Sequence, residues 1–383
     1  MTNLLVKSDL KIGSFQPVTK TLMGPGPSDV SARVLKAMGQ STLGHLDPDF
    51  TQLMDEIKAL LGYGFQTQND LTFAVSAPGS AGMETAFVNL VEPGDTVIVC
   101  INGVFGSRMK ENVERIGGQA VVVEDDWGKP VDPQKVEDAL RANPHAKVLA
   151  FVHAETSTGV LSDAQTLCQL AHKHDCLTLV DAVTSLGGVP LLVDEWGIDA
   201  VYSGSQKCLS APPGVSPVSF SARAVETISK RQSKVQSWFL DLNLVMGYWD
   251  GQGGRTYHHT APVNAMYGLH EALVMLQEEG LSNAWERHQA MHVTLRNGLA
   301  EMGINYLVDE SCRLPQLNSV LIPEHLVAKE TQIRAALLNE HHLEIGAGLG
   351  TLAGKVWRIG LMGHSAKAEN VDLCLRALRA VTA

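Results

Sequence analysis

Lys207 is the first residue in this sequence whose setting points to chemistry. No other charged residue lies between Asp199 and Arg223, and the neighbours of Lys207 are small hydroxyl and apolar residues leading into a Pro-Pro-Gly turn. An ammonium group in such surroundings either reaches the surface along its apolar stem or is desolvated, and desolvation favours its reactive neutral form. We therefore take Lys207 as a candidate nucleophile.

Other candidate functional residues follow short apolar runs that are typical of buried strands. They are Gly79 and Ser80 at a helix start, Phe105 on a turn, Thr156 in a hydroxyl-rich loop, Asp181, and Gln206 beside Lys207. Each alone has a plainer interpretation, such as a capping carboxylate, a core aromatic or a surface lysine. In parallel sheets, however, ligands bind beyond the carboxyl ends of the strands, so these residues are expected to form one cluster.

A phosphate cradle, a flat aromatic ring, a carboxylate and a lysine together suit pyridoxal 5′-phosphate. The lysine would form a Schiff base with the aldehyde, and the carboxylate would pair with the pyridine nitrogen and keep it protonated. The aromatic ring would stack on the pyridine, and the free N–H groups of the helix start would bind the phosphate. The cluster therefore predicts a pyridoxal phosphate site.

The elements that must position this cluster alternate between apolar strands and amphipathic helices. The predicted strands are 71–75, 95–100, 119–124, 147–154, 176–182 and 198–204. Strands that are apolar on both faces predict a mainly parallel sheet covered by helices on both sides. We expect an N-terminal arm at 1–20, a large α/β domain at 21–279 and a smaller C-terminal α/β domain at 280–383.

Two further patterns are interpreted as structural. The glycine-rich stretch 346–354 lacks the strand, helix and downstream acid of a dinucleotide site and is predicted to be a loop. His288 and His292 have helical i, i+4 spacing but no third ligand nearby, so we predict solvent-facing histidines and no metal site.

Composition limits the classes of partner. Of 383 residues, 45% are hydrophobic and 19% charged, and the formal net charge is −11, which argues against nucleic acid and anionic membranes as partners. The six cysteines are scattered without a CxxC pair, which favours reduced thiols. Because neither a signal-peptide core nor a peroxisomal ending is evident, we expect a cytoplasmic protein.

With these residues in view, the sequence resembles the class V, fold type I enzymes that use pyridoxal phosphate. Within them it is similar to the alanine–glyoxylate/serine–pyruvate aminotransferase family. The matching stretches are collinear over almost the whole chain and include LMGPGPSDVSARVLKAM, LVDAVTSLGG, YSGSQKCLSAPPG, YHHTAPV and GKVWRIGLMG. The resemblance implies the fold type I architecture, a mainly parallel central sheet in a large domain plus a smaller C-terminal domain.

The resemblance also implies roles for individual residues. Lys207 would be the Schiff-base lysine and Asp181 the partner of the pyridine nitrogen. The other implied cofactor positions are Gly79, Ser80, Ala81, Phe105, Thr156, Val183 and Gln206, with Tyr257 and Thr260 contributed from the neighbouring subunit of a homodimer. Arg358 would bind the substrate α-carboxylate as a bidentate fork, and Gly26 and His45 would line the substrate side.

Three departures from relatives involve four positions. Phe105 stands where some members carry Trp, Ser80 and Ala81 stand where some carry His and Cys, and His45 stands where ureidoglycine–glyoxylate aminotransferases carry Gln. The first of these changes leaves a smaller stacking ring without an N–H. The last weakens a ureidoglycine activity and makes His45 a candidate specificity residue, although a structural hydrogen bond is an equally good interpretation.

The function that this resemblance implies is a ping-pong transamination from alanine or serine to glyoxylate, with Lys207 as general base and acid. Three alternatives stay open. One is (S)-ureidoglycine–glyoxylate transamination, and another is a lyase of the cysteine desulfurase type that would use Cys312 as its thiol. The third is a protein that holds pyridoxal phosphate without turnover.

Overall fold

The structure, a computed structural model, describes residues 12–250 and 254–382, so residues 1–11 of the predicted arm lie outside it. Residues 12–19 are exposed and carry no helix or strand. In the described part, no helix is both long and apolar enough to cross a membrane. The predicted division at residues 20, 279 and 383 stays a prediction.

Six strands of one seven-stranded sheet run parallel, as predicted from their apolar faces. In spatial order the strands are β2 (Leu71–Val75), β10 (Ser216–Phe220), β9 (Ala200–Tyr202), β8 (Leu177–Asp181), β5 (Val148–Val152), β3 (Thr96–Ile101) and β4 (Gln119–Glu124). Strand β10 alone is antiparallel to its neighbours β2 and β9. No sequence pattern predicts β10, because Pro217 in its interior lacks the N–H that a central strand donates.

Helices cover this sheet and extend the chain toward the C-terminus. They are α1 (Ala32–Met38), α2 (Pro48–Phe65), α3 (Gly79–Leu90), α4 (Val104–Ile116), α5 (Pro133–Ala142), α6 (Ala164–Lys173), α7 (Val193–Trp196), α8 (Ala222–Ser229), α9 (Leu242–Trp249), α10 (Val263–Glu279), α11 (Leu281–Glu301), α12 (Glu330–Glu340) and α13 (Ala368–Thr382). Helix α3 directly follows β2 and α4 follows β3, so both begin at the carboxyl edge of the sheet.

A second, smaller group of strands lies in the C-terminal part. These strands are β11 (Leu317–Leu321), β14 (Val356–Gly360) and β13 (Gly346–Ala347) in one antiparallel sheet, with β1 (Thr21–Leu22) parallel to β12 (Leu343–Glu344). The hairpin β6 (Ala154–Glu155) and β7 (Val160–Leu161) completes the strands. The expectation of a loop at 346–354 is therefore wrong for Gly346–Ala347, because Gly346 and Ala347 pair with Arg358 and Trp357.

Two hydrophobic cores correspond to these two groups of strands. The larger core packs the seven-stranded sheet against its helices, and the smaller one gathers β11, β14, α12 and α13. Met23 belongs to the smaller core although it stands near the start of the chain. Helix α11 contributes Leu281 to the larger core and Leu299 to the smaller one, so it connects the two.

The prediction that His288 and His292 face solvent is wrong, because both are buried on α11. His288 Nδ1 lies 2.6 Å from the Ala284 carbonyl oxygen, and its Nε2 accepts the Gly363 N–H at 2.9 Å. His292 Nδ1 lies 2.6 Å from Asn318 Oδ1. The i, i+4 spacing thus marks the buried stripe of this helix, where each ring meets a hydrogen-bond partner that a sequence cannot display.

Candidate active site

Lys207 lies in the loop after β9 and is buried, with 8% of its surface exposed. Its Nζ donates to the Pro25 carbonyl oxygen, and no carboxylate lies within ion-pair distance of it in the described chain. Gly26 closes over this amine so tightly that a Cβ there would lie 2.5 Å from Nζ. A side chain at position 26 would therefore displace the lysine, and the role of Gly26 toward the substrate stays a prediction.

Burial lowers the pKa of Lys207 to about 8, and the nearby positive charge of Arg358 acts in the same direction. Asp181 and Cys208 oppose this shift more weakly. At neutral pH a larger fraction of Lys207 is therefore neutral than of a lysine in water. A neutral amine can act as nucleophile and as base. Desolvation of Lys207, which its apolar neighbours in the sequence suggest, therefore lowers the pKa in the direction that favours this reactive form.

Asp181 is the last residue of β8, and its carboxylate is buried. Oδ1 accepts the Val183 N–H at 2.8 Å, and Oδ2 accepts the Tyr202 hydroxyl at 2.7 Å. Burial raises the pKa of Asp181 to about 7, although both hydrogen bonds act to lower it. A buried carboxylate poised to ionise near neutral pH is suited to receive a cationic N–H group.

Tyr202 is the partner of Asp181 that sequence reasoning missed. The two residues face each other in the β8–β9 register, and the Tyr202 phenol is completely buried against the carboxylate. The signal was available in principle, because Asp181 and Tyr202 lie near the ends of two consecutive predicted strands, 176–182 and 198–204. Only the strand order and register show that they are adjacent, and these come from the tertiary fold.

Helix α3 begins at Gly79 beside this carboxylate, with Pro78 as its N-cap and no capping side chain. The Ala81 N–H donates to the Pro78 carbonyl oxygen at 2.7 Å. The N–H groups of Gly79 and Ser80 are then the ones left at the helix start, where the helix dipole favours an anion. A Cβ at Gly79 would lie 3.4 Å from Val183 Cγ2, so Val183 borders the same space.

Phe105, Thr156 and Gln206 lie around the same edge of the sheet. Phe105 is the second residue of α4 and is half-buried, with the Arg108 guanidinium carbon 5.0 Å from its ring centre. The Thr156 hydroxyl is hydrogen-bonded to the Thr184 hydroxyl. The buried Gln206 Oε1 has no hydrogen-bond partner among the described residues, so this amide is available to a ligand.

Arg358 lies on β14 and is 6% exposed. Its Nε donates to the Ala347 carbonyl oxygen at 2.7 Å, and its Nη1 donates to the Thr156 carbonyl oxygen at 3.1 Å. Burial lowers the pKa of Arg358 to about 10, which leaves the guanidinium charged at neutral pH. No carboxylate of the described chain pairs with it, so an anionic ligand would supply the missing negative charge.

His45, Tyr257 and Thr260 stand apart from this cluster in their contacts. Tyr257 is 64% exposed and Thr260 is also exposed. The His45 ring lies 5.3 Å from the Tyr257 ring, and its carbonyl oxygen accepts the Tyr248 hydroxyl at 2.6 Å. The His45 ring thus contacts the exposed Tyr257 ring and, at 6.3 Å between ring centres, the buried Tyr248 ring. In the described chain, no ring contact or hydrogen bond joins it to Lys207 or Asp181.

The residues present fit pyridoxal phosphate on three structural grounds. A buried lysine without an acidic partner suits the aldehyde, and a buried carboxylate with a raised pKa suits the pyridine nitrogen. The helix start at Gly79, with its free N–H groups, suits the phosphate, and the unpartnered Gln206 Oε1 suits a hydroxyl donor of the cofactor. By contrast, burial raises the pKa of the Cys312 thiol, which disfavours the reactive thiolate that a desulfurase requires.

Known proteins resemble this chain over nearly its whole length. A family model described as Aminotransferase class-V matches residues 27–373. The alanine–glyoxylate aminotransferase of Oryctolagus cuniculus is 43% identical over 363 residues, which cover 94% of this chain and 92% of that protein. The crystal structure of alanine–glyoxylate aminotransferase from Nostoc sp. has a TM-score of 0.95 and 44% identity, covering 98% of this chain and 99% of that one.

A second activity is represented among the similar structures. Ureidoglycine–glyoxylate aminotransferase from Bacillus subtilis has a TM-score of 0.93 and 36% identity, covering 96% of this chain and 94% of that one. Its similarity in fold is nearly as high as that of the Nostoc protein, whereas its sequence identity is lower.

The first prediction concerns Asp181 in the cofactor-free protein. Its folded pKa of about 7 lies above the ordinary value of 3.8, so the folded state binds the proton more tightly. The resulting stabilisation is complete below about pH 4 and is lost as the pH rises through 7. Asp181→Asn removes this loss, and we expect the variant to be more stable than wild type at pH 8 by about 2–4 kcal/mol.

Urea denaturation of both cofactor-free proteins at pH 5 and pH 8 measures this effect. The matched control is Asp126→Asn at an exposed carboxylate, for which the difference from wild type should not change between the two pH values. The same Asp181→Asn protein should lose at least about a hundredfold in transamination rate, the order found when a charge-stabilising group is removed. A stability difference for Asp181→Asn that is equal at both pH values would contradict the buried, proton-binding carboxylate.

Proposed function

The chain belongs to the class-V aminotransferase family, and from that premise we propose that it transfers the amino group of alanine or serine to glyoxylate. The amino acid leaves as its 2-keto acid and glyoxylate leaves as glycine. The observation that carries the proposal is the pair of buried basic side chains, Lys207 and Arg358, neither of which has an acidic partner in the described chain. One would attack a carbonyl and the other would bind a carboxylate, and both groups occur in these substrates.

Pyridoxal 5′-phosphate is the cofactor of this family, and when bound it supplies an aldehyde carbon and an electron-withdrawing ring. Gly79 and Ser80 would bind its phosphate through backbone N–H groups, and Gln206 Oε1 would accept from a hydroxyl donor of the cofactor. Phe105 would cover one face of the ring. Asp181 would hold the proton on the pyridine nitrogen, because a buried carboxylate is stabilised by a cationic neighbour.

Lys207 would perform two tasks in each half-reaction. Its neutral Nζ would hold the cofactor through the aldehyde, and as a free amine it would act as general base and acid. The free amine would take the proton from the donor Cα and would deliver a proton to the cofactor, so that the same group serves as base and then as acid. Its pKa of about 8 suits both directions, because proton transfer is most efficient when the pKa lies near the working pH.

Arg358 would bind the α-carboxylate that both donor and acceptor carry. Two backbone carbonyl oxygens, those of Ala347 and Thr156, already fix the guanidinium plane. This pre-organisation leaves Nη2 available, since no described residue accepts a hydrogen bond from it. A carboxylate held there would place the reacting carbon at a constant distance from Lys207, which is how orientation contributes to rate.

We propose a homodimer, and the exposed aromatic side chains near Tyr257 support it. Tyr257 and Trp238 are 64% and 63% exposed, which is unusual for aromatic side chains of this size and favours a covering partner. We propose that Tyr257 and Thr260 of each subunit complete the phosphate site of the other. His45 contacts Tyr257, so it would approach the substrate entrance of the same neighbouring site.

The cytoplasm is the compartment that we propose. All six cysteines are free thiols, and five of them are buried, which suits a reducing environment.

(S)-Ureidoglycine as amino donor is the second candidate function, because the similar Bacillus subtilis enzyme uses it with glyoxylate as acceptor according to its name. The lower identity of that enzyme and the His45 difference favour alanine or serine. A desulfurase role is disfavoured by the raised pKa of the Cys312 thiol. A protein without turnover is disfavoured by the presence of both Lys207 and Arg358.

Separated half-reactions test the proposed function. The protein loaded with pyridoxal phosphate should convert alanine or serine to about one keto acid per site, with loss of the visible cofactor absorbance. Glyoxylate added next should restore the absorbance and yield an equal amount of glycine. Lys207→Ala should abolish both steps, whereas Lys173→Ala, at an exposed lysine of α6, should behave as wild type.

Other outcomes of the half-reaction screen would contradict the proposal. Faster conversion of ureidoglycine than of alanine or serine would select the second candidate. Sulfide release from cysteine would indicate a desulfurase, and no conversion of any amino acid would indicate a cofactor-binding protein. Activity in Lys207→Ala would overturn the assignment of the lysine.

Complementation between subunits tests the shared site. The double variant Tyr257→Ala/Thr260→Ala should bind pyridoxal phosphate more weakly and be inactive when the cofactor is limiting. In mixed dimers with Lys207→Ala, one of the two sites combines an intact Lys207 with an intact Tyr257 and Thr260. Coexpression of the two chains should therefore restore about a quarter of wild-type activity under random pairing. Activity no greater than the sum of the two separate variants would contradict a site shared between subunits.

A further inference from the structure

Glu155 is a buried carboxylate at the active-site edge that the mechanism above does not use. It is the second residue of β6 and has no exposed surface. Its Oε1 accepts both the backbone N–H of Ser157 at 3.0 Å and the Ser157 hydroxyl at 2.5 Å. Its Oε2 accepts the Phe105 N–H at 3.2 Å. Burying an ionisable side chain is costly, so a purpose for this one must lie in what it contacts.

Helix α4 begins without a capping side chain of its own, because its N-cap residue is Gly103. The missing cap comes from the β6–β7 hairpin about fifty residues later in the chain. The Val104 N–H donates to the Ser157 hydroxyl at 3.0 Å, and the Phe105 N–H donates to Glu155. Two N–H groups of the first helical turn are thus held by side chains of another segment, in the way that a local N-cap residue would hold them.

Gly103 is required for this arrangement on steric grounds. A Cβ at position 103 would lie 2.4 Å from Glu155 Cδ and 2.5 Å from Ser157 Oγ. Both distances are far below van der Waals contact, so any side chain there would push the hairpin away from the helix. The close approach of the β6–β7 hairpin to Gly103 therefore excludes a capping side chain at position 103 and lets Glu155 and Ser157 cap the helix in its place.

We infer that Glu155 is a positioning residue that fixes the first turn of α4 and thereby the ring of Phe105. The inference rests on the proposed function, in which that ring stacks on the pyridine of the cofactor. Phe105 is the residue whose own N–H is bound by Oε2, so a displaced carboxylate would displace the ring directly. An aromatic stack depends on ring separation and offset, which makes it sensitive to such a displacement.

The carboxylate, and not merely a polar side chain, is what this position needs. The groups of the described chain that hydrogen-bond to the Glu155 carboxylate are all donors: the N–H groups of Ser157, Phe105 and Gly106, and the Ser157 hydroxyl. Glutamine has the same shape but presents an NH₂ group in place of one oxygen. It would oppose one donor with another, leaving a buried N–H without a partner.

Binding of pyridoxal phosphate to the cofactor-free protein tests the inference without using activity. Dissociation constants are measured for wild type, Glu155→Gln, Phe105→Leu and the double variant, together with the circular dichroism of the bound cofactor in its visible band. Glu155→Gln and Phe105→Leu should each weaken binding about tenfold, which corresponds to about 1.4 kcal/mol. If Glu155 acts through Phe105, the double variant should be weakened only about tenfold to twentyfold, not the hundredfold expected of independent residues.

The visible circular dichroism separates positioning from simple loss of stability. It should fall by a similar amount in Glu155→Gln and Phe105→Leu, because both lose the fixed ring beside the cofactor. The matched control is Glu111→Gln on the exposed face of α4, where the carboxylate pairs only with Arg115 in the described chain and wild-type behaviour is expected. Should Glu155→Gln not fold, Ser157→Ala decides, with an expected twofold to threefold weakening and the same change in the visible band.

Three results would overturn the inference. The first is wild-type affinity and dichroism in Glu155→Gln, and the second is additive weakening of binding in the double variant. The third, used if Glu155→Gln does not fold, is wild-type affinity and dichroism in Ser157→Ala. Failure of the proposed function would look different, because wild type would then not convert alanine or serine in the half-reactions, whereas the positioning role is read from the cofactor affinity and dichroism of the variants. Normal wild-type binding with an unaffected Glu155→Gln would leave the proposed function intact and remove only the positioning role.

Discussion

Removal of ionisable groups from water at one edge of the sheet is the constraint on which the site depends. Lys207 loses hydration without gaining an acidic partner, so its pKa falls toward neutrality. Asp181 loses hydration against only two donors, so its pKa rises toward the same range. Because each group is left short of a countercharge, each is stabilised by a ligand that brings one. Burial of these residues therefore favours the binding of a cofactor and an amino acid that carry the missing charges.

The parallel sheet makes this burial possible. Strands β8 and β9 end side by side, so Asp181 meets Tyr202 and the loop carrying Lys207 begins nearby. Helix α3 starts at the same edge and adds uncapped N–H groups. Arg358 comes from the separate small sheet of the C-terminal part. Its guanidinium donates to the carbonyl oxygen of Thr156, which lies beside the large sheet. The substrate carboxylate would therefore bind where the two groups of strands meet, and the cofactor would bind to the large sheet.

Apolar runs were sufficient to predict the six parallel strands, because most of them are buried on both faces and even the more exposed edge strand β4 contains the valine run 121–123. The same reasoning found Lys207 and Asp181, which directly follow such runs. It failed where tertiary contacts decide the outcome. Pro217 concealed β10, Tyr202 became a partner of Asp181 only through strand register, and His288 was buried by partners distant in sequence. Glu155 caps a helix about fifty residues earlier in the chain, and no local pattern indicates such a contact.

Reductive trapping tests the central claim that Lys207 is the amine poised for the cofactor aldehyde. The protein is loaded with pyridoxal phosphate, treated with borohydride and digested, and the modified peptide is identified by mass spectrometry. The account predicts that the pyridoxyl group is attached to Lys207, in the peptide that contains Ser205 and Gln206. Attachment to a different lysine, or no stable attachment in a protein that binds the cofactor, would contradict it.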